Sequence, residues 1–436
     1  MHNSFKALGI LTAILLTTVK ITAQPNEKPE GLWAGDWLQN GAKLTVSTNF
    51  ISSNGKLKGT FSSDQLRAID IPLQEVNLIG QKISWKLVGD ASTTLFNGTI
   101  SGDKIVGVFQ DGKSGGVFLF VRSKEKPEKP LEEELVIKNG DVNISGTLLH
   151  PDGTGRKFPL IIFIHGSGPE GRWASKYLAV RFAQNGIAAF IYDKRGVGSS
   201  TGDWKSAGFE DLVNDAAAVI RTLKKHDGID SNKVGIHGHS QGGAIVPWVA
   251  VKEQNLAFIV CSSGPGIRMD EVERYSLMNN IGIDTLQPKQ KKKAEEFVYA
   301  VVQTGYHNFP YSELVKYWNT IKDEPWAFKL PPQDDYYWTF SKKISGYDPV
   351  TYWKKVNAPV LFLYGQKDER VPVRKSITRI AENLLTQNAD DVTIKIFTNA
   401  DHTLRLVQKT TGNFQWPQNA KDYPGVLIDW VKNIVK

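Results

Sequence analysis

Very little sulfur is present: 436 residues include one cysteine and three methionines. One thiol cannot close an internal disulfide, so core packing must hold the fold in any redox compartment. Cys261 lies in the apolar segment Phe258 to Ser263 and reads as a buried strand residue, not a nucleophile. No cysteine stands near the candidate cleavage site either, so a lipoprotein anchor is not expected. Long hydrophobic runs are also missing: beyond residue 23 none reaches the roughly 20 residues of a spanning helix, so no stable membrane insertion is expected. Low-complexity tracts are absent, and 41% hydrophobic with 22% charged residues is the balance of a globular chain. The formal charge of +8 comes without a nucleic-acid motif. Its densest run, Lys289 to Lys293, reads as a solvated helix face, and no nucleic-acid partner is expected.

What is there begins with MHNSFKALGILTAILLTTVKITAQ: a basic Lys6, an apolar run from Ala7 to Val19, and Ile21-Thr22-Ala23 as a small-residue cleavage site. Residues 1–23 read as a signal peptide, which predicts a secreted or periplasmic protein. Lys20 interrupts the run, and the run is too short for a membrane anchor. Farther on, Ser123 to Leu131 (SKEKPEKPL) combines charge with Pro127 and Pro130 and reads as a linker. It separates two patterns.

Residues 24–122 are short alternating runs such as KLKGTFSS, KISWKLVG and GVFLFVR, broken by turn residues about every ten positions. They predict a smaller antiparallel β domain, a sandwich or barrel-like unit. Histidine is absent from Gly31 to Arg122 and carboxylates occur singly, so no catalytic constellation is expected there. Trp33, Trp37 and Trp85 are candidates for stacking on sugars, which makes a polymer or glycan a candidate partner, against the commoner role of tryptophan in a core.

From 132 to 436 continuous apolar runs end in glycine loops and alternate with helical stripes: PLIIFIHGSGP, IAAFIYDKRGVGSSTG, FEDLVNDAAAVIRTLKKH, KVGIHG, AFIVCSSG, APVLFLYG, VTIKIF. That is the signature of a mostly parallel α/β sheet covered by helices on both faces. Ligands in such sheets sit at the carboxyl ends of the strands, so the loops after each run are the ones to inspect.

Ser240 lies in Gly238-His239-Ser240-Gln241-Gly242, a G-x-S-x-G sequence between a strand and a helical stretch. A nucleophile there needs a sharp turn with no room for Cβ atoms two residues to either side, which the glycines provide. Pro247 stands awkwardly in the helix that follows, because it deletes a hydrogen bond, and a kink is expected. A serine hydroxyl needs a base. Of the eight histidines, His402, after the last strand, has the right place in chain order; His237 and His239 are expected to point away from the serine, and His165 to fix its own loop. Asp368 is the expected partner of His402, with Glu369 and Asp401 as rivals. The oxyanion donors are expected to be the backbone N–H groups of Gln241 and Ser167, with Gly166 the alternative to Ser167. Asp193 and Arg195 are expected to pair and brace the neighbouring loop.

The stretches HGSGP, YDKRGVGSSTG, GIDSNKVGIHGHSQGGAIVP and GQKDERVP, in this order, resemble the α/β-hydrolase superfamily, in particular bacterial secreted serine esterases of the dienelactone-hydrolase-like or serine-peptidase-like branch. The resemblance covers about 132 to 436. It implies the α/β-hydrolase fold, the triad Ser240, Asp368, His402, hydrolysis through an acyl-serine, and no metal or cofactor. It also implies that about 264–357, rich in aromatics such as Tyr299, Tyr306, Phe309, Tyr317, Trp318, Trp326 and Trp338, forms a helical lid. The expected function is an exported carboxylesterase acting on small-molecule esters of short to medium acyl length, acetylated or aromatic-acylated plant sugars among them. A serine peptidase or amidase with the same triad is the alternative, and a glycan- or lipid-binding protein on a hydrolase scaffold the third.

Overall fold

Alternation of apolar and polar residues builds the first sheet, because successive side chains of a strand face opposite sides. In the computed structural model, which describes residues 28–89, 92–125, 129–153, 156–385, 392–408 and 413–436, nine antiparallel strands run from β1 (Gly31–Gln39) to β9 (Ser114–Arg122). β1 pairs with β2 (Ala42–Ser53) on one side and β9 on the other. The sheet coils nearly into a barrel: Leu73, between its two outermost strands β4 (Ala68–Pro72) and β5 (Gln74–Ile79), donates its N–H to Gly59 O at 2.8 Å. Aromatic rings fill the inside, with Trp85 stacked on Phe96 at 5.1 Å. Trp33, Trp37 and Trp85 are 0%, 4% and 3% exposed. They belong to this core, which corrects their reading as sugar platforms.

The second sheet has at its centre runs buried on both faces, with more exposed strands at its two edges. Its strands are β10 (Leu131–Asn139), β11 (Val142–His150), β12 (Phe158–Ile164), β13 (Ala188–Tyr192), β14 (Ile229–His239), β15 (Ile259–Ser262), β16 (Val360–Gly365) and β17 (Val392–Phe397). They lie in the order β10-β11-β13-β12-β14-β15-β16-β17, antiparallel at the first two pairings and parallel from β13 onward. Helices α1 (Trp173–Gln184), α2 (Phe209–Leu223) and α3 (Gln241–Lys252) cover it, and every residue of β13 and β16 is buried. Five helices between β15 and β16, from α4 (Met269–Asn280) through α5 (Pro288–Tyr306), α6 (Tyr311–Asn319) and α7 (Tyr336–Lys343) to α8 (Val350–Trp353), form the aromatic-rich insertion. Residues 1–23 and 126–128, read as the leader and as part of the linker, lie outside the described residues. No described helix is long and apolar enough to cross a membrane.

The two sheets meet at one junction. Arg67, in the turn between β3 (Lys56–Ser63) and β4, donates to Thr403 O and Leu404 O, each at 2.6 Å, and to Asn419 Oδ1 at 2.6 Å. Arg405 answers with a bond to Leu66 O at 2.9 Å. Trp416 reaches the other way: its indole N–H donates to Ala42 O at 3.2 Å and its ring lies 6.0 Å from that of Trp37.

Candidate active site

β14 ends at His239 and α3 begins at Gln241, so Ser240 alone makes the turn. It does so with φ +56°, a left-handed conformation that costs a non-glycine residue about 1 to 3 kcal/mol. The crowding of glycines is the sterics of that turn. A Cβ on Gly238 would sit 2.4 Å from the backbone of Gly242, and one on Gly242 would sit 2.4 Å from Ile164 O on β12. The Ser240 N–H is tied to Ser262 O at 2.9 Å, which leaves the side chain at the carboxyl edge of the sheet.

The loops after β16 and β17 bring the next two residues together. His402 Nδ1 lies 2.8 Å from Asp368 Oδ2. Asp368 is 3% exposed, and its other oxygen accepts the N–H groups of Arg370 and Val371, each at 2.8 Å. Three of its four lone-pair directions are thus committed, and the carboxylate is held fixed at the Nδ1 edge of the imidazole. The rivals are otherwise employed: Asp401 caps its own loop through Thr403 and Arg405 N–H, and Glu369 is exposed. His402 O accepts from Ser263 Oγ at 2.8 Å, while Arg67 grips the two carbonyls that follow. Ser240 and His402 line one cavity of about 430 Å³.

The loop after β12 supplies donors. The Gly166 N–H is spent on Glu170 Oε2 at 2.7 Å, whereas the Ser167 N–H has no partner among the described residues. Gln241 N–H is the first of α3 and has no intrahelical carbonyl to reach. Ser167 and Gln241 line the same cavity as Ser240. Behind them the buried Lys194 ammonium donates to Gly166 O and Gly168 O, each at 2.6 Å, which fixes the peptide planes of this loop. Burial draws its pKa down to about 8. His165 bonds through Nε2 to Tyr192 O, and burial with the adjacent Lys194 charge pushes its pKa down to about 3, so it is neutral.

Some expectations need correction. His239 does not turn away: it lines the cavity, its ring lies 5.1 Å from that of His402, and its Nε2 is 3.2 Å from His402 O. Asp193 and Arg195 do not pair with each other. Asp193 takes Arg172, just before α1, at 2.9 Å and Arg195 takes Asp215 on α2 at 2.7 Å, so each finds its opposite charge on a different side of the loop. Of the aromatics singled out in the insertion only Tyr306 reaches the cavity, with Phe340; Tyr299 and Phe309 face solvent. Glu170, Glu273 and Arg370 also line it. They come from three separate loops and helices, and no spacing in the chain links them to Ser240.

Two family models match: residues 156–297 fit one described as serine aminopeptidase, S33, and residues 289–423 one described as the prolyl oligopeptidase family. The chain belongs to the α/β-hydrolase superfamily. This α/β hydrolase is 31% identical over 135 residues to the quorum-quenching protein AidA of Acinetobacter baumannii, a match spanning 31% of this chain and 43% of AidA. It is 25% identical over 241 residues, 54% of this chain and 83% of the relative, to the bifunctional esterase/perhydrolase DCH of Acinetobacter calcoaceticus. Among solved structures the Pyrococcus furiosus esterase Pf2001 aligns over 72% of this chain and 93% of its own, at 17% identity and TM-score 0.45. These matches support a serine hydrolase.

Proposed function

We propose that this α/β hydrolase cleaves carboxylic esters through an acyl-serine intermediate, with Ser240 as nucleophile, His402 as base and Asp368 as its orienting carboxylate. The observation that carries the reading is the 2.8 Å contact between His402 Nδ1 and the buried Asp368, with His402 lining the same cavity as a strained Ser240. With Nδ1 engaged, Nε2 is the nitrogen left for the serine proton. Ser240 Oγ bonds to the carbonyl carbon as that proton passes to Nε2, and the oxyanion is received by the N–H groups of Ser167 and Gln241, worth about 3 to 4 kcal/mol each. The C–O bond to the alcohol then breaks and Nε2 returns the proton to the leaving oxygen. Water repeats the sequence on the acyl-serine.

The test is hydrolysis of p-nitrophenyl esters from acetate to laurate by wild type and by Ser240→Ala. The variant is expected to lose about 1,000-fold or more in kcat. Equal rates in both would sink the assignment. Both matching family models are described as peptidase families, which favours a second reading, amide hydrolysis by the same residues. Faster cleavage of an aminoacyl p-nitroanilide than of the matched ester would select it. Export belongs to the same proposal, and the mature N-terminus of protein recovered from the periplasm or medium checks it: a start at Gln24 is expected.

A further inference from the structure

The cavity at Ser240 has a side branch. A second compartment of about 180 Å³ opens from the same place, sharing Ser167, Gln241, Glu273, Tyr306 and Phe340 with the first. Ser240 and His402 do not line it. Five rings, Trp204, Tyr306, Tyr336, Tyr337 and Phe340, line it, with Leu212 and the Lys194 side chain among the rest of its wall. Trp204 meets Tyr336 edge to face at 5.0 Å, and the Tyr337 hydroxyl donates to Glu273 Oε1 at 2.7 Å. That pair anchors the wall ring where the two compartments join.

The position of the branch decides which half of a substrate enters it. In an ester the acyl chain and the alcohol diverge from the carbonyl carbon, whose oxygen sits at the Ser167 and Gln241 N–H groups. The alcohol must leave beside His402, because that ring returns its proton. A branch that begins at the oxyanion donors and avoids His402 therefore receives the acyl chain. A dry cavity of about 150 Å³ accepts a benzene molecule, so this volume suits one ring. Edge-to-face and offset contacts with aromatic walls add about 0.5 to 1.5 kcal/mol per pair beyond area burial.

We propose that the side compartment is an acyl-binding site for an aromatic ring, and that the preferred substrates are arylalkanoyl esters. The inference rests on the ester reading above. An acyl group that ends in a ring on a short spacer can reach and fill the branch, whereas a short alkanoyl chain leaves it unfilled.

The experiment compares kcat/KM for p-nitrophenyl 3-phenylpropanoate and p-nitrophenyl butanoate, with the full chain. Wild type is expected to favour the phenylpropanoyl ester at least tenfold. Ala207→Phe, which fills the branch, is expected to lower that ratio at least tenfold, and Tyr336→Ala, which opens a half-exposed wall, to lower it about threefold. No preference in wild type, or a ratio unchanged in both variants, overturns the site. Binding of 3-phenylpropanoate, read by tryptophan fluorescence and by calorimetry, separates the two layers of the argument. If neither ester is turned over but wild type binds 3-phenylpropanoate at least tenfold more tightly than butanoate, and Ala207→Phe abolishes the difference, the site stands and the ester reading fails. If the two carboxylates bind alike, the site fails whatever the fate of ester hydrolysis.

Discussion

The two sheets of this chain solve the same burial problem in different ways, and the difference explains where chemistry sits. In the nine-stranded sheet every second residue faces a ring-filled interior, and tight turns such as Asn40-Gly41 and Asn54-Gly55 return the chain with left-handed residues. The strands from β12 to β17 of the second sheet run parallel, so the loops that follow them gather at one edge. Ser240, Asp368 and His402 all stand at that edge, after β14, β16 and β17. An antiparallel meander scatters its turns over both ends and gathers nothing. What the nine-stranded sheet does contribute is support, since Arg67 holds the carbonyls directly after His402.

Removing that support is the largest blow to the comparison. Arg67 is half-buried, makes three bonds, and lies with its guanidinium carbon 4.5 Å from the centre of the Tyr423 ring. Bonds from a charged donor are worth about 1.5 to 3 kcal/mol each, though not additively, so Arg67→Ala is expected to cost about 3 kcal/mol of stability. With His402 less firmly placed, kcat should fall at least tenfold while KM stays within twofold, measured well below the melting temperature. Guanidinium added to the variant should restore part of kcat. An unchanged kcat would mean that the two sheets are merely adjacent.

The elements that carry the proposed reaction are the most readable part of the chain. Continuous apolar runs ending in glycine marked the strands, and the G-x-S-x-G turn, Asp368 and His402 followed in the order that the sheet requires. The antiparallel character of residues 31 to 122 was equally plain from its alternation. What resisted reading has one physical origin: contacts between segments far apart in the chain. Arg67 lies 336 residues from Thr403, His239 turns toward His402 across the edge of the sheet, and Glu273 reaches the cavity from an inserted helix. Local periodicity reports which face of an element is buried but not against what.

Acid should also divide the two sheets. Residues 28 to 125 contain no histidine, while burial pushes His165 and His237 down to about 3 and His239 to about 4. These groups stay neutral in the fold but take up protons when unfolded, below about pH 6.5. The unfolded chain then binds more protons, so stability falls as pH drops through the window from about 6.5 toward 4. Each histidine contributes a slope of at most about 1.4 kcal/mol per pH unit. Urea midpoints between pH 7 and 5 measure it. His237→Gln, which can keep a partner for Ser262 Oγ, now 2.9 Å away, should flatten the slope by roughly one such contribution. A slope unaltered by that change would place the acid lability elsewhere.

The smallest effect concerns the single thiol and the misplaced proline together. Pro247 lies inside α3 and has no N–H for Gly243 O, four residues earlier. Cys261 Sγ on β15 lies 3.4 Å from that carbonyl and donates to it. Burial raises the thiol pKa to about 12, so the proton is always there to give. Cys261→Ala should therefore cost about 1 kcal/mol from the lost partner, beyond any effect of volume. Pro247→Ala supplies a backbone N–H to the same oxygen, and in that background Cys261→Ala should cost measurably less. A double-mutant cycle with a coupling near zero would show that the sulfur only fills space. A coupling of several tenths of a kcal/mol or more would show that the parallel sheet tolerates a proline behind its serine because a neighbouring strand supplies the missing hydrogen.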